Sequence, residues 1–308
     1  MKSFAIQQQA TVNADAGSWA HFWLLVRWHL LLIQKRKTGK VIPGCLLGVV
    51  GMPVLIIILA QLLNPVVRTG NHIAILPLLM WFTNFALFLF GSILIATMTC
   101  ILVGSEYSLG TFRQMLTRGA SRSQVLFSQV VALTLYILAL MTSIFLLVAV
   151  LGSLTSLYIH DYSYLSPVLW RNIGLSFVTV AVRLLLFACL AFFLTTVSRS
   201  TVVGIAGAWG YLLLESIVTT ILLGMSMQLG RPAIYLAAIL PGNITTTLNQ
   251  YVILMLFPQG SGISGTFLAG HSFDASLNWP IVLLIIGAYV VFTIGCSYVL
   301  YTRRNLDI

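Results

Sequence analysis

Apolar positions in this chain come in long unbroken runs, separated by short polar breaks that hold most of the charge. Runs of 18 or more apolar residues predict membrane-spanning helices. Six are expected, over residues 41–63, 75–103, 123–152, 168–197, 200–225 and 279–301. The second and third exceed the roughly 20 residues a span needs, so they tilt or protrude beyond the bilayer. Residues 18–34, SWAHFWLLVRWHLLLIQ, are interrupted by Arg27 and His29 and run straight into KRKTGK. That mixture of Trp and basic residues belongs at the membrane–water boundary and predicts an amphipathic interfacial helix, with a short first span as the alternative. Residues 232–257 could enter the bilayer but are broken at Pro241-Gly242. Pro232 suits a helix start, and Asn243 can cap a second helix, Ile244 to Phe257. Two half-length helices with both outer ends on one side make a re-entrant hairpin before the sixth span, tolerable only where protein covers the break.

Composition turns this pattern into a class. Of 308 residues, 59% are hydrophobic and only 7% charged, against about 25% charged in soluble domains. The fold class expected is an all-α polytopic membrane protein. Residues 1–17 are expected to be a disordered tail, 18–40 the interfacial helix with its basic turn, and 41–308 the transmembrane domain. The net charge of +10 is distributed by position, not gathered on a nucleic-acid-binding face. Lys2, Arg27, Lys35, Arg36, Lys37, Lys40, Arg113, Arg118, Arg122, Arg199, Arg303 and Arg304 fall on one side of the spans; Arg68, Arg171 and Arg231 fall on the other. The positive-inside rule makes both termini cytoplasmic. Residues 1–15 carry no cleavable signal pattern. Cys45, Cys100, Cys189 and Cys296 lie in or beside apolar runs without C-x-x-C spacing, and are expected to be buried small hydrophobes. The Gly/Ser-rich residues 258–278 read as an external loop.

The longest polar run between two strongly apolar ones is Glu106 to Arg122, EYSLGTFRQMLTRGASR. Thr111 to Gln114 reads as a capping box, and Phe112, Met115 and Leu116 share one face of the short helix it would open. Gly119 suits a left-handed helix end, and Ser121 to Gln124 is a second capping box opening the third span. A helix of about two turns is not stable alone in water, so it is held against something. The pattern of Glu106, Gly110, Thr111, Arg113, Leu116, Gly119, Ser121 and Arg122 resembles the cytoplasmic loop of type-2 ABC transporter permeases. The resemblance extends to the number and spacing of spans, the hairpin before the last span and the basic C-terminal end. It implies that the loop is a coupling helix docking on a separate ATP-binding subunit, which would hold the ATP and Mg. It also implies a second permease copy or homologue, and a bacterial plasma membrane. The alternative for the loop is an amphipathic turn lying on the membrane surface.

The candidate chemistry fits a non-enzymatic chain. No G-x-x-x-x-G-K-[ST] occurs, so these residues carry no phosphate-cradling P-loop. His160-Asp161 and His271 with Asp274 are far short of a metal site, and none is expected. Arg183 and Glu215 fall inside the fourth and fifth spans, each roughly 23 Å along its helix from the turn at Ser198-Arg199. Unpaired charges at that depth cost several kcal/mol, so the two are expected to form an intramembrane pair. The pair either pins two helices or lines the transport path. Gly204-x-x-Gly207-x-x-Gly210 and Gly44-x-x-x-Gly48 could let helices approach closely. By the resemblance, substrate contacts come from the second and fifth spans, where Phe85, Phe88, Phe90, Trp209 and Tyr211 are candidate lining residues. An aromatic cavity suits amphipathic cargo such as a lipid, a drug or a peptide.

The resulting expectation is the permease subunit of an ATP-driven ABC exporter. The alternative is a non-transporting membrane anchor that docks a cytoplasmic partner through the 106–122 loop. An ion-coupled secondary transporter is disfavoured, because Glu215 is the one carboxylate within a span and no inverted repeat is evident.

Overall fold

The structure is a computed structural model that describes residues 18–63, 75–108, 121–159, 165–256 and 279–303. Every regular element among them is helical. The chain runs α1 (Ser18–Lys35), α2 (Thr38–Leu63), α3 (Ile75–Ala86), a π-helical turn (Leu87–Gly91), α4 (Ser92–Ser108), α5 (Arg122–Tyr158) and α6 (Pro167–Ser198). It continues with α7 (Thr201–Leu229), α8 (Arg231–Ile239), α9 (Pro241–Leu256) and α10 (Trp279–Arg303).

Six of the helices are long and apolar enough to cross a membrane: Thr38–Gln61, Ile75–Ser108, Arg122–Tyr158, Pro167–Ser198, Thr201–Ser226 and Pro280–Arg303. They coincide with the six expected spans to within a few residues at most ends. The second and third are 34 and 37 residues long, about 50–55 Å of helix against a hydrocarbon core of about 30 Å. Residues 1–17, and the loop segments 109–120 and 257–278, lie outside the described residues.

Helix α6 is the hub. It packs against α4, α5, α7, α9 and α10, and its buried face (Val180, Leu184, Phe187, Ala188, Ala191) is apolar along most of its length. α2, α7 and α10 turn most of their apolar surface outward, as helices facing lipid do. Their exposed Leu, Ile and Val side chains therefore need no protein partner.

Local signals set the element ends. Ser121 opens α5 with a complete capping box: its hydroxyl accepts from the Gln124 amide N–H, and the Gln124 side chain accepts from the Ser121 N–H at 3.2 Å. This is the arrangement the sequence predicts. α6 starts with Pro167 in its first turn and ends at Arg199, which adopts the left-handed conformation (φ 53°) usually given to glycine. Ser200 then caps α7.

Gly204 accounts for the close approach of α7 to α4 and α6. A Cβ there would lie directly over the Thr195 hydroxyl and 3.3 Å from the Cys100 sulfur. Gly44, Gly48 and Gly210 have open space instead, so those small residues face no close-packed helix within the described chain. Of the cysteines only Cys100 is fully buried; Cys45 is exposed on α2, where it faces outward with its apolar neighbours.

Candidate functional site

Two clusters of buried polar side chains interrupt the apolar bundle. The first forms around the break between α8 and α9. Leu240 leaves the helical conformation (φ −57°, ψ 140°), and Pro241 then begins α9. Proline in the first position has no N–H to lose, so the next two amides are the ones left without a partner. Glu215 of α7 takes both: its Oε1 accepts from Gly242 N at 2.6 Å and from Asn243 N at 3.1 Å. A carboxylate at this end also meets the positive pole of the α9 dipole. Glu215 is thus an N-cap supplied by a neighbouring helix.

Asn243, expected to cap the second half-helix, does not. Its side chain donates instead to the Thr219 hydroxyl and to the Ala237 carbonyl at 2.9 Å, tying α9 back to α7 and α8. The carboxylate displaces it because a charged acceptor satisfies two amides at once.

Arg183 of α6 engages the other side of the same residue. Its guanidinium donates to the Gly242 carbonyl at 3.1 Å and to Thr245 Oγ1 at 3.0 Å, while Nε donates to Ser92 Oγ at 2.9 Å. The Phe88 ring lies 3.5 Å from the guanidinium carbon, and Phe187 lies 5.2 Å away. Arg183 and Glu215 therefore do not close the direct ion pair expected from their matching depth; the described residues show one histidine–carboxylate contact of that kind, His29–Glu106 at 3.7 Å, which is an ion pair only when His29 is protonated. They hold Gly242 between them, one by its carbonyl and one by its N–H. No sequence signal gives this, because the third party is backbone. A π-helical turn, Leu87–Gly91, lies at this point of the span, and Phe88 within it and Ser92 just after it both meet Arg183.

The polar seam continues along α9. Asn249 Oδ1 accepts from Asn84 Nδ2 at 2.9 Å and from Thr179 at 3.3 Å, and Asn84 also donates to Ser176. Five elements, α3, α4, α6, α7 and α9, thus meet through buried polar atoms rather than apolar contact alone.

The second cluster lies at the end of α4 that leads into the 106–122 loop. Glu106 is 5% exposed. It accepts from the Gln129 amide of α5, and His29 Nε2 lies 3.7 Å from its Oε1. Arg36 donates to the Leu102 carbonyl at 3.2 Å and to the Ser105 hydroxyl, covering the carbonyl end of α4. The first turn of α2 is tied to α5 as well, since the Tyr136 hydroxyl donates to the Gly39 carbonyl at 2.7 Å.

Burial lowers the His29 pKa to about 4, with Arg36 adding to the shift and the bond to the Leu25 carbonyl opposing it. His29 is therefore neutral at pH 7. Because its folded pKa lies below the unfolded value of about 6.5, its stabilising contribution is full above pH 6.5 and is lost as pH falls toward 4. A shift of that size is worth about 3 kcal/mol. Between pH 7 and pH 4.5 the melting temperature of the purified chain is expected to change less favourably than that of His29→Gln, which lacks the protonation cost. An unchanged pH profile in the variant would rule out His29 as the source.

The remaining predicted residues divide. Gly110, Thr111, Arg113, Leu116 and Gly119 lie outside the described residues. Ser121 caps α5, and Arg122 donates to the Thr302 carbonyl at 3.3 Å, joining the loop's far end to α10. Phe88 and Tyr211 belong to the Gly242 clamp: the first stacks on Arg183, the second sits one helical turn before Glu215 and beside its carboxylate. Phe85 and Trp209 are 44% and 47% exposed, on the outer faces of α3 and α7. Phe90 is likewise exposed. A groove of about 650 Å³ does exist, but it lies between α5 and α6, lined by Phe145, Ala149, Trp170, Ile173 and Phe177, and includes none of those aromatics. Among the described residues no group of three or more His, Cys, Asp and Glu could hold a metal.

Six helices long and apolar enough to cross a membrane define an integral membrane protein. The family model described as ABC-2 family transporter protein matches residues 3–306, and the chain belongs to that family. Its members are membrane components of transporters and generally work with an ATP-binding subunit. No curated protein matches the chain significantly.

Proposed function

We propose that this chain is the permease subunit of an ATP-driven exporter for an amphipathic substrate. The observation that carries the reading is how the two roots of the 106–122 loop are built. At one root Glu106 is buried among His29, Arg36 and Gln129; at the other the Ser121 capping box starts α5. A force on the loop therefore moves α4 and α5 as stiff levers, rather than being absorbed in frayed helix ends. The loop itself acts as the coupling helix, with Gly110, Thr111, Arg113, Leu116 and Gly119 meeting a separate ATP-binding subunit that carries ATP and Mg.

The remaining assignments follow from that role. α1 lies along the cytoplasmic face of a bacterial plasma membrane, both termini are cytoplasmic, and α8–α9 form a re-entrant hairpin whose break is covered by Arg183 and Glu215. A second permease copy or homologue packs on the outward face of α7, with Phe85 and Trp209 toward the shared cavity. Their exposure supports an apolar cargo such as a lipid, drug or peptide.

The test is affinity purification of the tagged chain in mild detergent, with mass spectrometry and an ATPase assay of the eluate. The expected result is an ATP-binding-cassette subunit in about equal amount, lost in Arg113→Glu or Gly119→Pro. A preparation without ATPase that binds another protein through the same loop would make the chain a membrane anchor instead. The burial of Glu106 also predicts that Glu106→Ala lowers thermal stability, because it strands the Gln129 amide and removes the acceptor facing His29, at about 1–3 kcal/mol for each buried group left unsatisfied. A variant with unchanged melting temperature and lost substrate-stimulated turnover would mean that Glu106 serves coupling alone.

A further inference from the structure

We propose that α1 and the turn after it form a docking surface for anionic phospholipid of the cytoplasmic leaflet. We further infer that Arg36 passes the occupancy of that surface to the root of the 106–122 loop. The inference rests on the cytoplasmic placement of α1 and the coupling role of the loop proposed above.

α1 has two unlike faces. Val26, His29 and Ile33 are buried against the bundle, where Ser128, Gln129 and Leu133 of α5 meet them. Trp19, Trp23 and Trp28 are exposed, Trp19 and Trp23 to one side of that buried stripe and Trp28 to the other. Indole rings settle at the headgroup level of a bilayer, so they hold the helix in the interface. Lys35, Lys37 and Lys40 follow at once, and all three are exposed. Among the described residues none of them ion-pairs with a carboxylate. Their charge is available for an anion outside the chain. Basic clusters immediately cytoplasmic of a span bind anionic lipid, each cation near the surface adding about fivefold in affinity. Charge complementarity selects anionic over zwitterionic headgroups, and the neighbouring Trp residues select a bilayer over a soluble anion.

Arg36 distinguishes this turn from an ordinary basic flank. It stands between Lys35 and Lys37 yet turns inward, donating to the Leu102 carbonyl and the Ser105 hydroxyl in the last turns of α4. Glu106, which attracts it, is in the same turn. A headgroup drawn to the two flanking lysines pulls on the backbone that carries Arg36. The end of α4, where the loop begins, therefore reports whether the surface is occupied.

The full chain is reconstituted in phosphatidylcholine nanodiscs that contain a fixed minor fraction of brominated lipid, either phosphatidylglycerol or phosphatidylcholine. Quenching of Trp fluorescence is expected to be stronger with the anionic brominated lipid. The excess is expected to fall several-fold in K35Q/K37Q/K40Q, to persist in K35R/K37R/K40R and to fade at high salt. Equal quenching by the two lipids in the unaltered chain, or an excess that survives both the neutral substitutions and salt, overturns the surface. The second readout is tryptic cleavage after Arg113 and Arg118, followed by mass spectrometry. Anionic nanodiscs are expected to slow it, and Arg36→Gln to abolish that lipid dependence while keeping the quenching excess. Lipid-dependent cleavage that persists in Arg36→Gln overturns the transmission. Neither readout uses ATP or a partner subunit, so failure here is distinct from failure of the exporter reading.

Discussion

Gly242→Ala is expected to destabilise the chain by about 3–5 kcal/mol, although it adds one methyl group. A Cβ at this position would stand 2.8 Å from both oxygens of Glu215, inside van der Waals contact and against a group held in place by two backbone N–H donors. Either the carboxylate withdraws or the start of α9 shifts. In the first case a buried negative charge loses its donors, and two amides of α9 are left unsatisfied among apolar helices. Removing one partner of a buried charge in this way is what makes the cost large, more than the added volume. The measurement is the melting temperature in detergent by intrinsic fluorescence, made on Gly242→Ala, Glu215→Ala and the double variant. Each single change is expected to lower it substantially. The second change is expected to cost little once the first is present, because both break the same contact. Additive losses would mean that the methyl group clashes with something other than the carboxylate.

The parts of this molecule that were legible in the sequence are those set by local chemistry. Long apolar runs gave the six spans, and Ser121 with Gln124 gave the start of α5, because a capping box needs only residues three apart. The depths of Arg183 and Glu215 were readable from residue counts, and so was their convergence on one level of the bundle. What they do there was not. Matching depth suggested an ion pair, but the structure inserts the Gly242 peptide between them, and side-chain counting is blind to backbone donors. Asn243 illustrates the same limit: its intrinsic preference for capping yields to a carboxylate from another helix, and its amide is used for packing. Glu106 sits at the end of a span, where the sequence shows it only as the first residue of the polar loop pattern. Its burial depends on α1 folding back over α4 and α5, a contact between segments more than 70 residues apart. The π-helical turn at Leu87–Gly91 had no sequence signal, because Phe and Leu fit α and π geometry alike.

Arg183 leads to the second large effect. Arg183→Lys is expected to cost about 3 kcal/mol even though it keeps the charge. A lysine has one nitrogen, and it cannot reach Ser92, the Gly242 carbonyl and Thr245 together as the planar guanidinium does. It also loses the flat contact with Phe88, so Phe88→Leu alone is expected to show a smaller loss of about 1 kcal/mol. Arg183→Met should be worse than Arg183→Lys, because it removes every guanidinium bond at once: Ser92 Oγ loses its donor, and the Gly242 carbonyl keeps only the Thr245 and Thr246 hydroxyls. The informative comparison is then made in the Arg183→Met background. If Glu215 were there only to balance the arginine, Glu215→Leu would recover stability as fully as Glu215→Gln, since either removes the lone charge. The geometry predicts otherwise: a glutamine oxygen can still accept from Gly242 and Asn243, whereas leucine leaves both amides unpaired. Arg183→Met with Glu215→Gln should therefore melt several degrees above Arg183→Met with Glu215→Leu. Equal recovery by the two would mean that the charge of Glu215 matters and its cap on α9 does not.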